Sequence, residues 1–294
     1  MPIGVVLLAV AGRHLPAGRG EPGRRLDPAG VAAVSVAVLL LVVPLVLGHE
    51  EHWPWWTWAS LGASAAAFGA FARVERAVVR GGGSPLISGR LLRAPGLVVG
   101  ALALLLMTLT YGGYLFTMAL HLQSGLGDSA ARAGLTFAPM AIGFAATALT
   151  WQRIPARLHA PMLPSALTVA AVGFVLLAVI MCGGSRGGAP LELDLLLIGL
   201  AFGLAFSPIL NMALRHVPLA DAADASGVLV TVFQLGQVIG VATLGTTYLS
   251  LVHAPGPHAS AHALGVTLVV LAISALAAAA FAAVLVRPRR GATL

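Results

Sequence analysis

The sequence predicts an all-α polytopic membrane protein, with a partial helix followed by eight transmembrane helices. Three observations carry this. First, 59% of the 294 residues are hydrophobic and only 9% are charged, whereas a soluble domain carries about 25% charged residues. Second, eight apolar runs of about 19 to 28 residues follow one another, each long enough to cross a bilayer as a helix. Third, the basic residues alternate with these runs in one consistent sense.

The elements read in order as follows. Residues 1–12 are apolar but too short to span, and Arg13 and His14 follow them. A signal peptide would carry its charge before the apolar run and a small-residue cleavage site after it, so the stretch reads as about half of a membrane helix. Residues 13–28 form a charged loop. The eight spans run over Ala29–Gly48, Pro54–Ala72, Pro95–Leu122, Ala130–Thr150, Pro161–Cys182, Leu191–Met212, Ser226–Leu251 and Ala261–Val286. A second loop covers 73–94 and a tail covers 287–294. All spans are expected to be helical, because lipid offers no water to backbone polar groups.

The arginines test this map. With the 13–28 loop inside, Arg13, Arg19, Arg24 and Arg25 lie inside. Arg73, Arg76, Arg80, Arg90 and Arg93 join them, as do Arg153, Arg157, Arg215, Arg287, Arg289 and Arg290. Of the 17 basic residues, all of them Arg, Arg132 and Arg186 alone fall outside. Cytoplasmic loops of membrane proteins concentrate basic residues. This predicts a bacterial inner-membrane protein with a cytoplasmic C-terminus. It also accounts for the pI near 11.2 without a nucleic-acid partner. The lone Cys182 has no internal disulfide partner.

Chemistry-bearing residues are sparse. None of the ten carboxylates falls near the middle of an expected span; Glu192 and Asp194 come closest, at the outer end of theirs. Intramembrane charges mark proton and ion pathways, so this distribution argues against a complete carboxylate relay. It argues equally against a membrane-embedded enzyme, a catalytic site or a metal site, and no cofactor is expected. His258 and His262 share a helical spacing, but beside His253 in LVHAPGPHASAH they read as a polar connector. The RGGGSP stretch at 80–85 lacks the Lys and hydroxyl of a phosphate loop.

Uncharged polar residues within spans are more informative. Thr231, Gln234 and Gln237 lie in one span and Asn211 in another. Their spacing leaves open a water-filled cavity or interhelical hydrogen bonds. Tyr111, Tyr114, Met118 and His121 fall on one helical face, which suits either an apolar cavity or plain packing. Gly96/Gly100, Gly199/Gly203 and Gly236/Gly240 are small-residue pairs that bring helix backbones together. Pro139 and Pro208 interrupt two spans.

These motifs together resemble the major facilitator superfamily, in particular its fourteen-helix drug:proton antiporters. HLQSGLGDSAARAGLTFAPMAIGF carries the resemblance at Leu122, Gln123, Gly127, Ser129, Ala133, Gly134, Leu135, Pro139 and Gly143. ASGVLVTVFQLGQVIGVATLGT resembles the penultimate helix, and PLISGRLLR and the opening MPIG resemble two further stretches. Val230 and Phe233 depart from the Asn and Arg common there. The resemblance implies the C-terminal half of a major facilitator fold with two extra helices before it. Residues 1–12 become a remnant of the sixth helix, 29–72 an inserted helix pair, and 95–286 a six-helix transport domain of two inverted triplets.

It further implies an exporter of hydrophobic or amphipathic compounds that works by alternating access and is coupled to protons. Tyr114, Met118, His121, Asn211, Thr231 and Gln234 would then line the substrate cavity. The alternative is a non-transporting or split subunit that pairs with a separate N-terminal half. Because motifs of the first five helices do not precede this sixth-helix remnant, Met1 is not expected to be the start of the functional unit.

Overall fold

The computed structural model describes residues 10, 28–48, 53–80, 94–252 and 256–287. The expected sixth-helix remnant apart from Val10, the 13–27 loop, Glu50, Glu51, Pro85–Arg93, His253 and the tail beyond Arg287 lie outside these residues. The described residues form helices: α1 (Pro28–Leu47), α2 (Trp55–Arg80), α3 (Leu97–Leu120), α4 (Ala130–Thr136), α5 (Ala138–Thr150), α6 (Ala156–Ile180), α7 (Gly188–Leu214), α8 (Ala222–Leu251) and α9 (Pro257–Val286). Among the described residues, six helical segments are long and apolar enough to cross a membrane. They are Leu97–Gly125, Ala130–Arg153, Ala156–Ile180, Gly188–Leu214, Ala222–Leu251 and Pro257–Val286. The chain is a multi-pass α-helical membrane protein.

The first two of the eight expected spans form a hairpin. Ser60 and Ser64 of α2 donate to the carbonyls of Leu40 and Ala37 in α1, at 2.9 and 2.8 Å. The apolar stretch of α1 is the shorter Ala32–Leu45. α2 continues eight residues past its expected end, through Arg73, Glu75, Arg76 and Arg80.

Other boundaries also differ from expectation, for local reasons. α6 begins at Ala156 and runs through Pro161 and Pro164. Both prolines stand past the first turn, where each removes an intrahelical amide donor. The hydroxyls of Ser165 and Thr168 donate to the carbonyls of Pro161 and Pro164. The fourth span breaks at Phe137, with Pro139 placed in the first turn of α5. Pro208, by contrast, sits inside a continuous α7. α3 ends in a π-helical turn, His121–Gly125.

The six spans pair with internal symmetry. α3 packs on α8, α5 on α7, and α6 on α9; α6 also meets α7, and α9 meets α3. Exchanging α3/α4–α5/α6 with α7/α8/α9 maps this pairing onto itself. Because α3 and α7 start at opposite ends of the bundle, the two triplets are inverted relative to one another.

Glycine sets the closest crossings. A Cβ on Gly199 would strike the backbone of Met140, and one on Gly240 the backbone of Leu109. Without a hydrophobic drive between helices in lipid, such close van der Waals packing holds a bundle together. Replacing Gly199 with Val should destabilise the protein by about 1–3 kcal/mol through overpacking. Gly265→Ala, where a Cβ meets nothing within 4 Å, should leave stability unchanged or slightly raised. Thermal melting of both variants in detergent checks this contrast.

Candidate functional site

The six residues expected to line a cavity fall into two groups. Tyr114, Met118 and His121 are fully buried, because their face of α3 points into the bundle. Asn211 on α7 and Thr231 and Gln234 on α8 are exposed. Thr231 donates to the Gly227 carbonyl at 2.9 Å, and Gln234 lies one turn further along. The structure therefore does not bring the six onto one surface. Of the packing glycines, Gly96 and Gly100 lie against Met212, Ala213 and Leu285. Gly203 lies against Phe144 and Thr147, and Gly236 against Leu105 and Thr108.

What links exposed and buried regions is a continuous series of aromatic rings. Phe233 on α8 contacts Phe206 on α7 at 5.6 Å, and Phe206 contacts Phe144 on α5 at 5.8 Å. Phe144 meets Tyr111 on α3 at 6.2 Å, and Tyr111 meets Phe202 at 5.5 Å. Phe202 meets Phe174 on α6, Phe174 meets Tyr114, and Tyr114 meets Phe137. Such tilted and edge-on pairs are favourable beyond their buried area. Phe202, Phe174 and Tyr114 are buried, whereas Phe233, Phe206, Phe144 and Tyr111 are half-buried. The half-buried four form an aromatic wall contributed by α8, α7, α5 and α3.

A second feature lies at the end of the bundle where α3 finishes and α9 begins. His121 Nδ1 is 2.6 Å from Ser260 Oγ, which is 2.7 Å from the Tyr248 hydroxyl. Two proton arrangements satisfy this triad. Tyr248 donates to Ser260 and Ser260 to His121, or all three reverse. His121 Nε2 is buried without a partner in either case. Ser260 and Tyr248 also line a cavity of about 80 Å³ with Leu120, Ser124, Gly125 and Gly256.

The two arginines expected outside both pair with Asp128. Arg186 Nη1 lies 2.9 Å from its carboxylate and Arg132 Nε 3.4 Å. Arg186 Nη2 also donates to the Leu126 carbonyl, so one guanidinium ties the α3–α4 and α6–α7 connections together.

Asp194 adds most to the sequence reading, through its burial. Expected at a span end, it lies in the second turn of a longer α7, 5% exposed, with neither carboxylate oxygen hydrogen-bonded. Sequence reasoning also missed Tyr248, Ser260 and most of the aromatic wall. The i, i+4 spacing of Phe202 and Phe206 was the available signal. His258 and His262 are exposed in the first two turns of α9.

Paired inverted triplets of apolar helices around an aromatic face define a multi-pass membrane protein of repeat architecture. The chain belongs to the Major Facilitator Superfamily, which matches its residues 26–241. It is 35% identical over 255 residues to a probable actinorhodin transporter of Streptomyces coelicolor, covering 85% of this chain and 44% of that protein. It is 32% identical to the cephamycin export protein CmcT of Amycolatopsis lactamdurans, covering 84% of this chain and 51% of that protein. It is 27% identical to the multidrug efflux pump LfrA of Mycolicibacterium smegmatis, covering 84% and 48%. The chain thus spans about half the length of these curated relatives.

The aromatic series has a buried and an accessible end, and the two should respond differently to truncation. Phe174→Ala should cost about 3–5 kcal/mol of stability, as for a buried ring. Phe233→Ala should cost about 1 kcal/mol, near the mean for ordinary substitutions. Equilibrium unfolding in mixed micelles separates the two.

Proposed function

We propose that this chain is the C-terminal half of an efflux transporter that exports hydrophobic or amphipathic, ring-bearing compounds by alternating access. The observation that carries this is the half-buried wall of Tyr111, Phe144, Phe206 and Phe233. It comes from the first, second, fourth and fifth spans of the bundle. Aromatic faces accept flat apolar ligands through stacking and area burial with little geometric demand. Asn211, Thr231 and Gln234 supply exposed polar groups on α7 and α8. Tyr114, Met118 and His121 are buried further along α3 and become reachable when the helices separate. The names of the relatives, among them an actinorhodin transporter and a cephamycin exporter, agree with this class of cargo.

The segment α4–α5 supports a two-half mechanism. Leu135, Ile142 and Leu149 recur every seven residues and are 73%, 65% and 82% exposed. A second six-helix half, packed on this stripe and on the exposed face of α8, would enclose the wall. Transport then follows from rocking of the halves about the central site, with the inserted pair α1–α2 alongside α8. The arginine distribution orients the assembly in a bacterial inner membrane with the C-terminus in the cytoplasm. Protons are the proposed driving ion.

Cells expressing residues 1–294 alone should show no energy-dependent dye efflux. Efflux should return on co-expression of the six-helix N-terminal half of a relative, detected as co-purification and loss of dye fluorescence. Clear efflux from the chain alone would overturn the requirement for a second half. Phe206→Ala and Phe233→Ala should each weaken binding of a planar hydrophobic dye to the reconstituted chain by about tenfold, the equivalent of about 1.4 kcal/mol. Fluorescence titration measures this, and unchanged affinity in both variants would remove the wall from the site.

A further inference from the structure

Two buried polar groups are left unmatched where α3, α6 and α7 meet. Asp194 on α7 is 5% exposed, and both carboxylate oxygens lack a hydrogen-bond partner. Gly173 on α6 lets the two helices close over it: a Cβ there would stand 3.5 Å from Asp194 Oδ1 and 2.6 Å from Ile198. The next residue, Phe174, packs its ring 5.2 Å from that of Tyr114 on α3. Tyr114 is fully buried, within electrostatic reach of Asp194, and its hydroxyl also has no partner. A donor and an acceptor group thus lie near one another in the apolar core, neither satisfied.

The other ionisable groups on the surrounding helices are engaged or distant. Tyr111 packs on Phe144 and Phe202, and His121 is held by Ser260, as is Tyr248 of α8. Arg132 of α4 pairs with Asp128, and α5 carries no ionisable side chain. Arg157 and His159 lie at the far end of α6, and Asp224 at the far end of α8. His258 and His262 are exposed at the start of α9, and Glu192 is exposed on α7 itself. No cation among the described residues is placed to neutralise Asp194.

We propose that Asp194 is a proton-binding site of this half, with the unpartnered Tyr114 hydroxyl as the polar group within its electrostatic reach. A carboxylate without a counter-charge or donors is strongly disfavoured in an apolar interior. The packed arrangement therefore holds the neutral acid. Parting α3 from α7 admits water, the carboxyl O–H bond breaks, and the proton passes to that water and leaves a hydrated carboxylate. Return to the packed state requires the reverse. The cycle gives the proposed exporter a conformation-dependent proton load within its C-terminal half, so its use rests on the export reading, although the binding itself does not.

Infrared spectroscopy of the purified full chain in phospholipid vesicles tests it. The wild-type protein should show the carbonyl stretch of a protonated carboxyl group at neutral pH, and labelling with isotopic aspartate should shift it. Asp194→Asn should abolish that band, Glu192→Gln should leave it, and Tyr114→Phe should move its frequency. Asp194→Asn should also bind one proton fewer per chain on acid titration. The aspartate-labelled wild-type spectrum stands alone if a variant fails to fold. Absence of a protonated aspartate band at neutral pH, or its persistence in Asp194→Asn, would overturn the proposal. Efflux by the two-half assembly with no such band would sink the proton site alone. A band that depends on Asp194, with no efflux from any assembly, would sink the export reading and leave the site standing.

Discussion

The bundle depends on two backbone contacts, Gly199 against Met140 and Gly240 against Leu109. In lipid the apolar side chains gain nothing by leaving their surroundings for one another, so helices associate where their backbones approach closely. These glycines allow that approach for the α5–α7 and α3–α8 pairs, which the inverted repeat relates to each other. Thr147, next to the first crossing, donates to the Leu200 carbonyl at 2.9 Å. Thr108, beside the second, bonds back to Leu104 on its own helix. Packing and polar satisfaction thus coincide at the same level of the structure.

The crossings also position the rings. With α5 and α7 close, Phe144 reaches Phe206, and with α3 and α8 close, Tyr111 and Phe233 are drawn to the same side. Phe202 and Phe206, one turn apart on α7, then connect the accessible wall to the buried rings Phe174 and Tyr114. The surface proposed to receive cargo is the accessible end of the packed core, and its rings are held at a geometry set by the glycines behind them.

Much of this was legible in the sequence because hydropathy and charge are integrated over long stretches. The six spans, their order and the packing role proposed for the glycines follow from runs of about twenty residues and from small residues four apart. Single-residue depth was harder. Asp194 read as the outer end of a span that begins at Leu191, yet α7 begins at Gly188 and holds the acid in its second turn. Likewise Pro208 read as a break, although the helix continues through it. The aromatic wall was hidden for a different reason. Its rings come from four helices, and no periodicity within one helix encodes a contact between two. The triad of His121, Ser260 and Tyr248 has the same origin, with partners up to 139 residues apart.

The placement of these features on α7 has a mechanical consequence. Asp194, Gly199, Phe202, Gly203 and Phe206 all lie on one unbroken helix. About 1.5 Å of rise per residue separates Asp194 from Phe206 by roughly 18 Å, too far for direct interaction across an apolar core. A rigid helix pinned at Gly199 and Gly203 has no need of direct interaction. Any tilt that parts α7 from α3 at Asp194 must also move Phe202 and Phe206 relative to Tyr111 and Phe144. Backbone contacts as tight as those at Gly199 do not deform gradually, since packed interfaces switch between discrete arrangements. Hydration of a carboxyl at one end of α7 and rearrangement of the aromatic wall toward the other are therefore parts of a single movement of that helix.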